Sequence, residues 1–256
     1  MDTLVICLGS HMQKRCQPVL KNLQAFGNKF GNHLSVSVLP AVTPKDFDDS
    51  SIHPFALETI DFKQRTLHAQ LSHRNQVGCA LSHIKCWQRC VANDEPLLVL
   101  EDDCLIEDNT LLDFLQSDLA RKNACDFVSL VCGKFNNRTV SNPESPVFRI
   151  LKALQGLQAY CIHPRCARKL LEHALPVLMH VDYYMGTCIQ TKQLQAYQHR
   201  HAAKSSDLDS TLKHVWIAPI IRNNIPALAL GTTSCILFIL LVVCLSKLNK
   251  KINLSM

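Results

Sequence analysis

The sequence predicts an α/β fold, and three observations lead to that prediction. The chain has 256 residues, which is long enough for one sizeable domain. It opens with an apolar strand over residues 3–8, an amphipathic helix over residues 12–26 and an alternating strand over residues 34–39. Short apolar runs then alternate with helical patterns, which is typical of a sheet flanked by helices.

The middle of the chain carries the clearest helical pattern. Residues 43–75 are polar and include two prolines, which indicates a loop-rich insertion with a short helix. Apolar side chains then recur at helical spacing over residues 77–91, so one face of that helix is apolar. That face consists of Ala80, Ile84, Trp87 and Val91.

The second half of the domain continues the alternation. The predicted elements, in chain order, are a helix over residues 110–120, a strand over 127–131, a long loop over 133–147, a strand over 158–162, a helix over 164–173, a helix over 181–190 and a strand over 194–197. The polar residues 199–214 are expected to be mobile, and residues 215–219 are expected to form a last core segment.

One strand ends in a cluster of acids. Residues 97–100 are an apolar run that predicts a buried strand, and Glu101, Asp102 and Asp103 follow it directly. Carboxylates crowded at a strand end repel one another unless positive charge lies between them. Hard oxygen ligands of this kind suit Mg²⁺ or Mn²⁺ bound against a substrate phosphate. The segment therefore predicts a metal-assisted transferase site.

The cysteines and the net charge exclude several classes of protein. The thirteen cysteines are odd in number and include no C-x-x-C pair, which argues against a structural zinc module and a full disulfide framework. Free thiols suit a reducing compartment. Cys79, His83, Cys86 and Cys90 would share one face of a single helix and cannot surround one ion, so packing explains them better. The net charge of +6 is spread along the chain and does not indicate nucleic-acid binding.

A membrane-spanning helix is predicted near the end of the chain. Residues 225–245 carry no charge and, as a helix, would be about 31 Å long, close to one hydrocarbon core. The expected organisation is a domain over residues 1–222, this helix, and a basic tail over residues 246–256. The first residues do not resemble a signal peptide, which with the free thiols favours a cytosolic domain. The tail lysines favour the lumenal orientation instead. Of the two, we expect the cytosolic domain.

Two neighbouring blocks resemble a known family. Gly78, Cys79, Ser82, His83 and Trp87 fit the pattern G-C-x-x-S-H-x-x-x-W, and the strand that ends in Glu-Asp-Asp follows about ten residues later. This combination resembles glycosyltransferase family 25, which includes lipooligosaccharide and procollagen galactosyltransferases. Further blocks fit the same family: the first strand with Arg15 after it, residues 155–162 with Ala167, Leu170 and Leu171, the acidic position Asp182, and residues 216–219.

The resemblance implies a fold and a reaction. It implies a GT-A-type domain with a Rossmann-like mixed sheet, tethered here by the C-terminal helix. It implies inverting transfer of a hexose, galactose in known members, from a UDP-sugar to a saccharide or hydroxyl acceptor, with Mn²⁺ or Mg²⁺ on the donor diphosphate. The partners would be the nucleotide sugar, a glycan acceptor and a membrane.

Roles for individual residues follow from the acids and from the resemblance. Asp102 and Asp103 leave the strand on opposite sides, so one can ligate the metal directly; we assign this to Asp103, and place Asp102 at the metal or the donor sugar. Glu101 would support either. Asp182 matches the family's later acid and is the candidate general base, although capping a helix is the alternative. His83 would contact a phosphate, support the acids or serve structurally.

Two other functions are compatible with the sequence. Gln76 stands where many family members carry Glu, which motivates a catalytically inactive relative that binds sugars or a protein partner. A nucleotidyltransferase is the second alternative, but the chain has no Gly-rich phosphate loop.

Overall fold

The computed structural model describes residues 1–31, 34–61, 69–122, 124–131, 138–139, 147–150 and 156–203. These residues belong to one compact unit, Met1–Asp207. The strands are β1 (Asp2–Cys7), β2 (Ser35–Pro40), β3 (Leu97–Glu101), β4 (Phe127–Val131), β5 (Arg138–Thr139), β6 (Val147–Ile150), β7 (Ala159–Ile162) and β8 (Ala196–Ala203). The helices are α1 (Gln17–Phe30), α2 (Pro54–Asp61), α3 (Arg74–Asn93), α4 (Asp108–Gln116), α5 (Pro164–Leu171) and α6 (Val181–Thr191).

The strands form one mixed sheet. Within the described residues its order is β2-β1-β3-β7-β4-β8-β6-β5. β1 runs parallel to both β2 and β3, as expected of a β-α-β opening. β7 lies antiparallel between β3 and β4, and β8 is parallel to β4. The predicted α/β class, a mixed sheet flanked by helices, is confirmed.

Each face of the sheet is covered by helices because the central strands are apolar on both sides. On one face, Leu97 and Val99 of β3 pack with buried side chains of α2, α3, α5 and α6. On the other face, Leu98 and Leu100 pack with buried side chains of α1 and α4. β3 is therefore covered on both faces. Its last residue, Glu101, is the first residue of the strand that is partly exposed.

The topology brings distant segments to one edge of the sheet. The carboxyl ends of parallel β1 and β3 meet there, with Ile6 beside Glu101. β7 is antiparallel, so its amino end arrives at the same edge, where the Glu101 N–H donates to the Gln158 carbonyl at 2.7 Å. In an α/β sheet, this carboxyl edge is where ligands usually bind.

Several expectations need correction. The predicted loop over residues 133–147 contains the short strand β5, which pairs with β6. The last strand is longer than predicted and runs through Ala203, into the segment expected to be mobile. Cys7 and Cys16 form a disulfide with their Cα atoms 5.7 Å apart, so the cysteines are not all free thiols. The disulfide joins the end of β1 to a π-helical turn over Met12–Cys16 that leads into α1.

The predicted core segment over residues 215–219 and the predicted membrane helix over residues 225–245 lie outside the described residues. None of the helices that the structure describes has both the length and the hydrophobicity needed to cross a bilayer.

Candidate active site

A buried chain of hydrogen bonds leads to Glu101. Trp87 Nε1 donates to the Tyr160 hydroxyl at 3.2 Å, and this hydroxyl lies 2.9 Å from His83 Nδ1. His83 Nε2 in turn lies 3.1 Å from Glu101 Oε1. Because the indole can only donate, the simplest pattern has the Tyr160 hydroxyl donating to Nδ1 and His83 donating from Nε2 to the carboxylate. Burial raises the pKa of Tyr160 well above its usual value, so this hydroxyl keeps its proton.

The conformation of Glu101 is thus set from within the core. Trp87, Tyr160 and His83 are all fully buried, whereas the Glu101 side chain is 27% exposed. Cys79, one helical turn before His83 on α3, points its Sγ to within 3.9 Å of the same carboxylate oxygen. Burial and the nearby Glu101 charge raise the pKa of the Cys79 thiol, which therefore stays protonated.

Asp102 and Asp103 face a different group of partners. Asp102 accepts a hydrogen bond from the Leu8 N–H at 3.0 Å, just beyond the end of β1. Arg15 Nη1 lies 4.0 Å from Asp102 and 3.7 Å from Asp103, and His11 Nδ1 lies 3.8 Å from Asp102. The positive charge expected between the acids is therefore supplied, in part, by a guanidinium from the turn before α1.

The surroundings of these two aspartates show which one suits a hard cation. The Asp102 side chain is about one-tenth exposed, and its Oδ2 is engaged by Leu8, whereas the Asp103 side chain is 24% exposed. Mg²⁺ and Mn²⁺ sites commonly use one or two carboxylates together with substrate phosphates and waters. Asp103 at the open strand end fits such a ligand, with Asp102 behind it.

Asp182 lies in the first turn of α6 but does not cap it. The residue before the helix is His180, and Asp182 instead accepts a hydrogen bond from the Gly156 N–H at 2.8 Å. Gly156 has φ +85°, a left-handed conformation that glycine adopts without strain. Burial raises the pKa of Asp182, and the nearby Glu101 charge raises it further, while His180 and the Gly156 hydrogen bond oppose the shift.

The helix that carries Cys79 and His83 is held unusually close to the chain beside it. A Cβ built on Gly78 would lie 2.3 Å from the Val42 carbonyl oxygen. The Val42 N–H donates to Ser82 Oγ, and Ser82 Oγ donates to the Gly78 carbonyl, both at 2.8 Å. The glycine and serine of the G-C-x-x-S-H pattern therefore fix the position of α3, and the cysteine and histidine face β3.

Gln76 has a local role at the start of the same helix. Its Oε1 accepts hydrogen bonds from the Ser72 N–H at 2.8 Å and the Ser72 hydroxyl at 3.3 Å. This is the arrangement of a side chain that reaches back to cap a helix start, for which Gln and Glu are equally suited. Gln76 therefore has a structural contact at the helix start that a Glu could also make.

The structure thus groups the predicted residues into two neighbouring sets. His83, Glu101 and Asp182 form one set, since Glu101 and His83 both act on the Asp182 carboxyl. Asp102 and Asp103 form the other, around Arg15. Sequence reasoning gave no role to Tyr160 or Cys79, because a single buried Tyr or Cys looks like packing until its partners are known. Arg15 could be found from the sequence, because the family resemblance includes a basic residue after the first strand.

A cleft of about 710 Å³ lies elsewhere, at the amino ends of β1 and β3. Its charged walls include Arg89 and Asp2, which pair at 3.1 Å. The lining contains none of the strand-end acids, so this cleft is separate from the site that the acids define.

Comparison with known proteins agrees with this arrangement. The sequence profile described as Glycosyltransferase family 25 (LPS biosynthesis protein) matches residues 2–185. A "Glycosyltransferase 25 family member" of Anopheles gambiae is 32% identical over 75 residues, which is 29% of this chain and 13% of that protein. A protein of the same description from Aedes aegypti is 32% identical over 75 residues, 29% of this chain and 12% of that protein. The chain thus aligns with about one eighth of the length of these relatives. The match over residues 2–185 nevertheless covers most of the chain and every residue of the site, and the chain belongs to glycosyltransferase family 25.

Proposed function

We propose that this protein is a metal-dependent, inverting glycosyltransferase with a GT-A-type fold. It would transfer a hexose, galactose by family analogy, from a UDP-sugar to a saccharide or hydroxyl acceptor. The observation that carries the proposal is the pair Asp102 and Asp103, which lies against the Arg15 guanidinium at the carboxyl edge of a mixed sheet. Asp182 lies near Glu101, the acid that precedes this pair. Family membership supports the reaction class.

The donor side of the site would be Arg15, Asp102 and Asp103. A guanidinium is a good ligand for a diphosphate because its fork of donors matches phosphate oxygens. Asp103 would hold Mn²⁺ or Mg²⁺, with Asp102 toward the metal or the donor sugar, and the ion would neutralise charge on the departing diphosphate. Leu8 fixes Asp102 through its N–H, so the donor side is positioned by backbone rather than by a flexible side chain.

The acceptor side would be Asp182, positioned by the Gly156 N–H and by the rigid start of α6. An inverting transfer needs one carboxylate to take the proton from the acceptor hydroxyl, on the face opposite the leaving group. Burial raises the pKa of Asp182, which makes its carboxylate a stronger base than an exposed aspartate. Glu101 and His83 would keep this region negative and ordered without touching the reacting atoms.

The experiment is a UDP-release assay on the full chain with a panel of UDP-sugars, run with Mn²⁺ or with a chelator. We expect release with UDP-galactose that requires the metal. Asp103→Asn should abolish the metal-dependent turnover, and Asp182→Asn should lower kcat by about 10²–10⁴ with little change in the KM for donor. Asp108→Asn is the matched control: Asp108 is on α4 and pairs with Lys29 of α1, so this variant should retain full activity.

The outcomes separate the enzyme from its alternative. If no donor is turned over with either metal, the transferase proposal is wrong. Metal-dependent binding of UDP without turnover would then support the alternative, a relative that binds sugars or a partner. The intact run of Glu101, Asp102 and Asp103 argues against that alternative.

We also propose that residues 225–245 anchor the domain in a membrane. The tail lysines and the Cys7–Cys16 disulfide favour a domain on the oxidising, lumenal side, whereas the remaining free cysteines favour the cytosol. A protease-protection assay on membranes decides between them: a protected domain is lumenal, and a digested one is cytosolic. Release of the protein by a salt or carbonate wash would contradict the anchor itself.

A further inference from the structure

We propose that Cys79, His83 and Glu101 form a binding site for a zinc ion. The Cys79 Sγ, a ring nitrogen of His83 and a carboxylate oxygen of Glu101 lie within 4.8 Å of one another. The distance from His83 Nε2 to Glu101 Oε1 is 3.1 Å, and that from Cys79 Sγ to Glu101 Oε1 is 3.9 Å. The group is the one set of three such ligands among the residues that the structure describes.

The spacing of the three atoms matches the requirements of zinc. Zinc binds sulfur at about 2.3 Å and nitrogen or oxygen at about 2.0–2.2 Å, so ligand atoms around a tetrahedral ion lie roughly 3.2–3.8 Å apart. The two distances to Glu101 Oε1, 3.1 Å from His83 and 3.9 Å from Cys79, lie at the two ends of that range. The Cys79 and His83 atoms lie within 4.8 Å of each other, and rotation of the Cys79 side chain would adjust that distance. Cys79 and His83 are four residues apart on one face of α3, while Glu101 ends β3, so two rigid elements present the ligands.

The types of ligand distinguish this site from the proposed donor site. A thiolate and an imidazole favour zinc, whereas carboxylates and phosphates favour Mg²⁺ or Mn²⁺. Asp102 and Asp103, which we assign to the hard cation, face Arg15 rather than Cys79 and His83. Three protein ligands leave a fourth position open to water or to another group. The proposal does not rest on the transferase reaction.

The local charges favour a cation at this position. The Glu101 carboxylate, with its Oε1 atom 3.9 Å from the Cys79 sulfur, would repel a thiolate at that position. A divalent ion would offset that repulsion and allow the thiolate to form. The His83 side chain is 1% exposed and that of Glu101 is 27% exposed, so an ion would enter from the Glu101 side.

Binding requires a balanced movement of protons. The Cys79 thiol releases its proton to solvent and ligates as thiolate. His83 moves its proton from Nε2 to Nδ1, so that Nε2 ligates the ion and Nδ1 donates to the Tyr160 oxygen 2.9 Å away. Tyr160 then has the supporting role that hydrogen-bond partners of metal-ligating histidines commonly have.

The test is a titration of the full chain with Co²⁺ and Zn²⁺ without any nucleotide sugar, so its result is independent of the proposed reaction. We expect one Co²⁺ with thiolate-to-metal charge-transfer absorption, which one equivalent of Zn²⁺ displaces. Cys79→Ser should remove this absorption and weaken Zn²⁺ binding by at least tenfold, about the smallest loss expected for an altered metal site. Cys86→Ser, a buried cysteine on the same helix, is the matched control and should keep both signals.

A second variant keeps the test decisive if Cys79→Ser fails to fold. Glu101→Gln changes the partly exposed ligand and should weaken Zn²⁺ by a similar factor, with an unchanged circular dichroism spectrum. The proposal is overturned if wild-type protein shows no thiolate absorption with Co²⁺, or if Cys79→Ser retains it.

Discussion

His83 and Glu101 are joined by a 3.1 Å contact between Nε2 and Oε1, at the point where the buried core meets the acidic strand end. The histidine is fully buried and its other nitrogen is held by Tyr160. A side chain fixed at both nitrogens cannot turn, so it fixes in turn the direction of the Glu101 carboxylate. The Glu101 carboxylate at the end of β3 is therefore oriented from the core side, by residues that do not reach solvent.

Tyr160→Phe should destabilise the protein. The change removes the hydroxyl that accepts from Trp87 and contacts His83, and it leaves two buried polar groups without that partner. We expect a loss of about 1–3 kcal/mol in the free energy of unfolding, measured by urea denaturation. Tyr184→Phe is the control, because that hydroxyl is only half-buried and donates to the Leu170 carbonyl, outside the hydrogen bonds that join Trp87, Tyr160 and His83. If the two variants lost equal free energy of unfolding, the hydrogen bonds of Tyr160 to Trp87 and His83 would not be the cause.

Gly78→Ala should also destabilise, although alanine favours helices. The new methyl carbon would lie 2.3 Å from the Val42 carbonyl oxygen, so α3 and the chain at Val42 must move apart. Overpacking of this kind costs about 1–3 kcal/mol, more than the roughly 1 kcal/mol that alanine gains over glycine in a helix. Gly9→Ala meets nothing within 4 Å and should change stability by less than about 0.5 kcal/mol. Thermal and urea unfolding of both variants would check this, and a neutral Gly78→Ala would contradict it.

Asp182→Asn should be tolerated by the fold while it impairs the proposed activity. Burial raises the pKa of Asp182 in the folded protein above its unfolded value, so the ionised carboxylate opposes folding. At neutral pH we expect the variant to be at least as stable as the wild type. As the pH falls through the folded-state pKa, the wild-type carboxyl takes up a proton and the variant's advantage should shrink. Urea unfolding of both proteins at neutral and mildly acidic pH measures the difference in stability. If the variant's advantage grew on acidification, the pKa of Asp182 would not be raised in the folded protein.

Arg165→Gln should destabilise through the partner that it leaves behind. Asp126 is buried and accepts from Arg165 Nε at 2.7 Å and Nη2 at 2.8 Å, which ties the start of α5 to the residue before β4. Breaking one side of such a pair leaves an uncompensated buried charge, although the Gln195 N–H still donates to it at 2.7 Å. Because the Arg165 side chain is half exposed, we expect about 1–3 kcal/mol in urea unfolding rather than the full value for a buried pair.

Arg168→Gln on the same helix provides the comparison for that experiment. Arg168 pairs with Asp94 at 3.0 Å, but both side chains are exposed and solvent screens the interaction. Its replacement should leave the midpoint of unfolding nearly unchanged. If the two variants unfolded at the same denaturant concentration, the buried Asp126 would not be the cause.

Arg15→Gln should weaken binding of the donor more than it lowers the stability of the fold. The guanidinium lies 3.7 Å from Asp103 and 4.0 Å from Asp102 on a partly exposed side chain, so its contribution to stability is under about 1 kcal/mol. If it binds the donor diphosphate, its loss should raise the KM for UDP-sugar about tenfold or more, in line with the 1.5–3 kcal/mol of a charged hydrogen bond. Steady-state kinetics over a range of donor concentrations separates this from an effect on kcat alone. An unchanged KM would remove Arg15 from the donor side.

The central elements of this fold could be predicted from the sequence because they are strongly periodic or uniformly apolar. β3 and β4 lie where short apolar runs placed them, and α3 extends the predicted helix by a few residues at each end. β8 was predicted too short because its second half, after Tyr197, is polar and pairs as a strand through backbone contacts with β4 and β6. A strand held mainly by backbone hydrogen bonds need not show an alternating or apolar pattern of side chains.

The residues of the site that stand out by their type could be predicted from the sequence. Those that matter because the fold brings them close together could not. The acids and Asp182 stood out as carboxylates in characteristic blocks. The convergence of Cys79, His83 and Glu101 did not, because it depends on how α3 packs beside β3, and the sequence does not give the distance between the two elements. The disulfide of Cys7 and Cys16 was equally hidden, since the spacing alone does not say that a turn brings the thiols together.

The position of β7 has a consequence for the order in which the protein can form. β3 pairs with β7 across a long stretch of chain, with Leu97 beside Ile162, and Asp182 is needed to complete the acidic site. At a synthesis rate of about 5–20 residues per second, roughly 3–12 s separate the appearance of Glu101 from that of Ile162. During that interval the apolar edge of β3 has no partner on the β7 side. The nascent chain would then depend on slow closure of a non-local strand pair, and this is the stage at which chaperones should matter most.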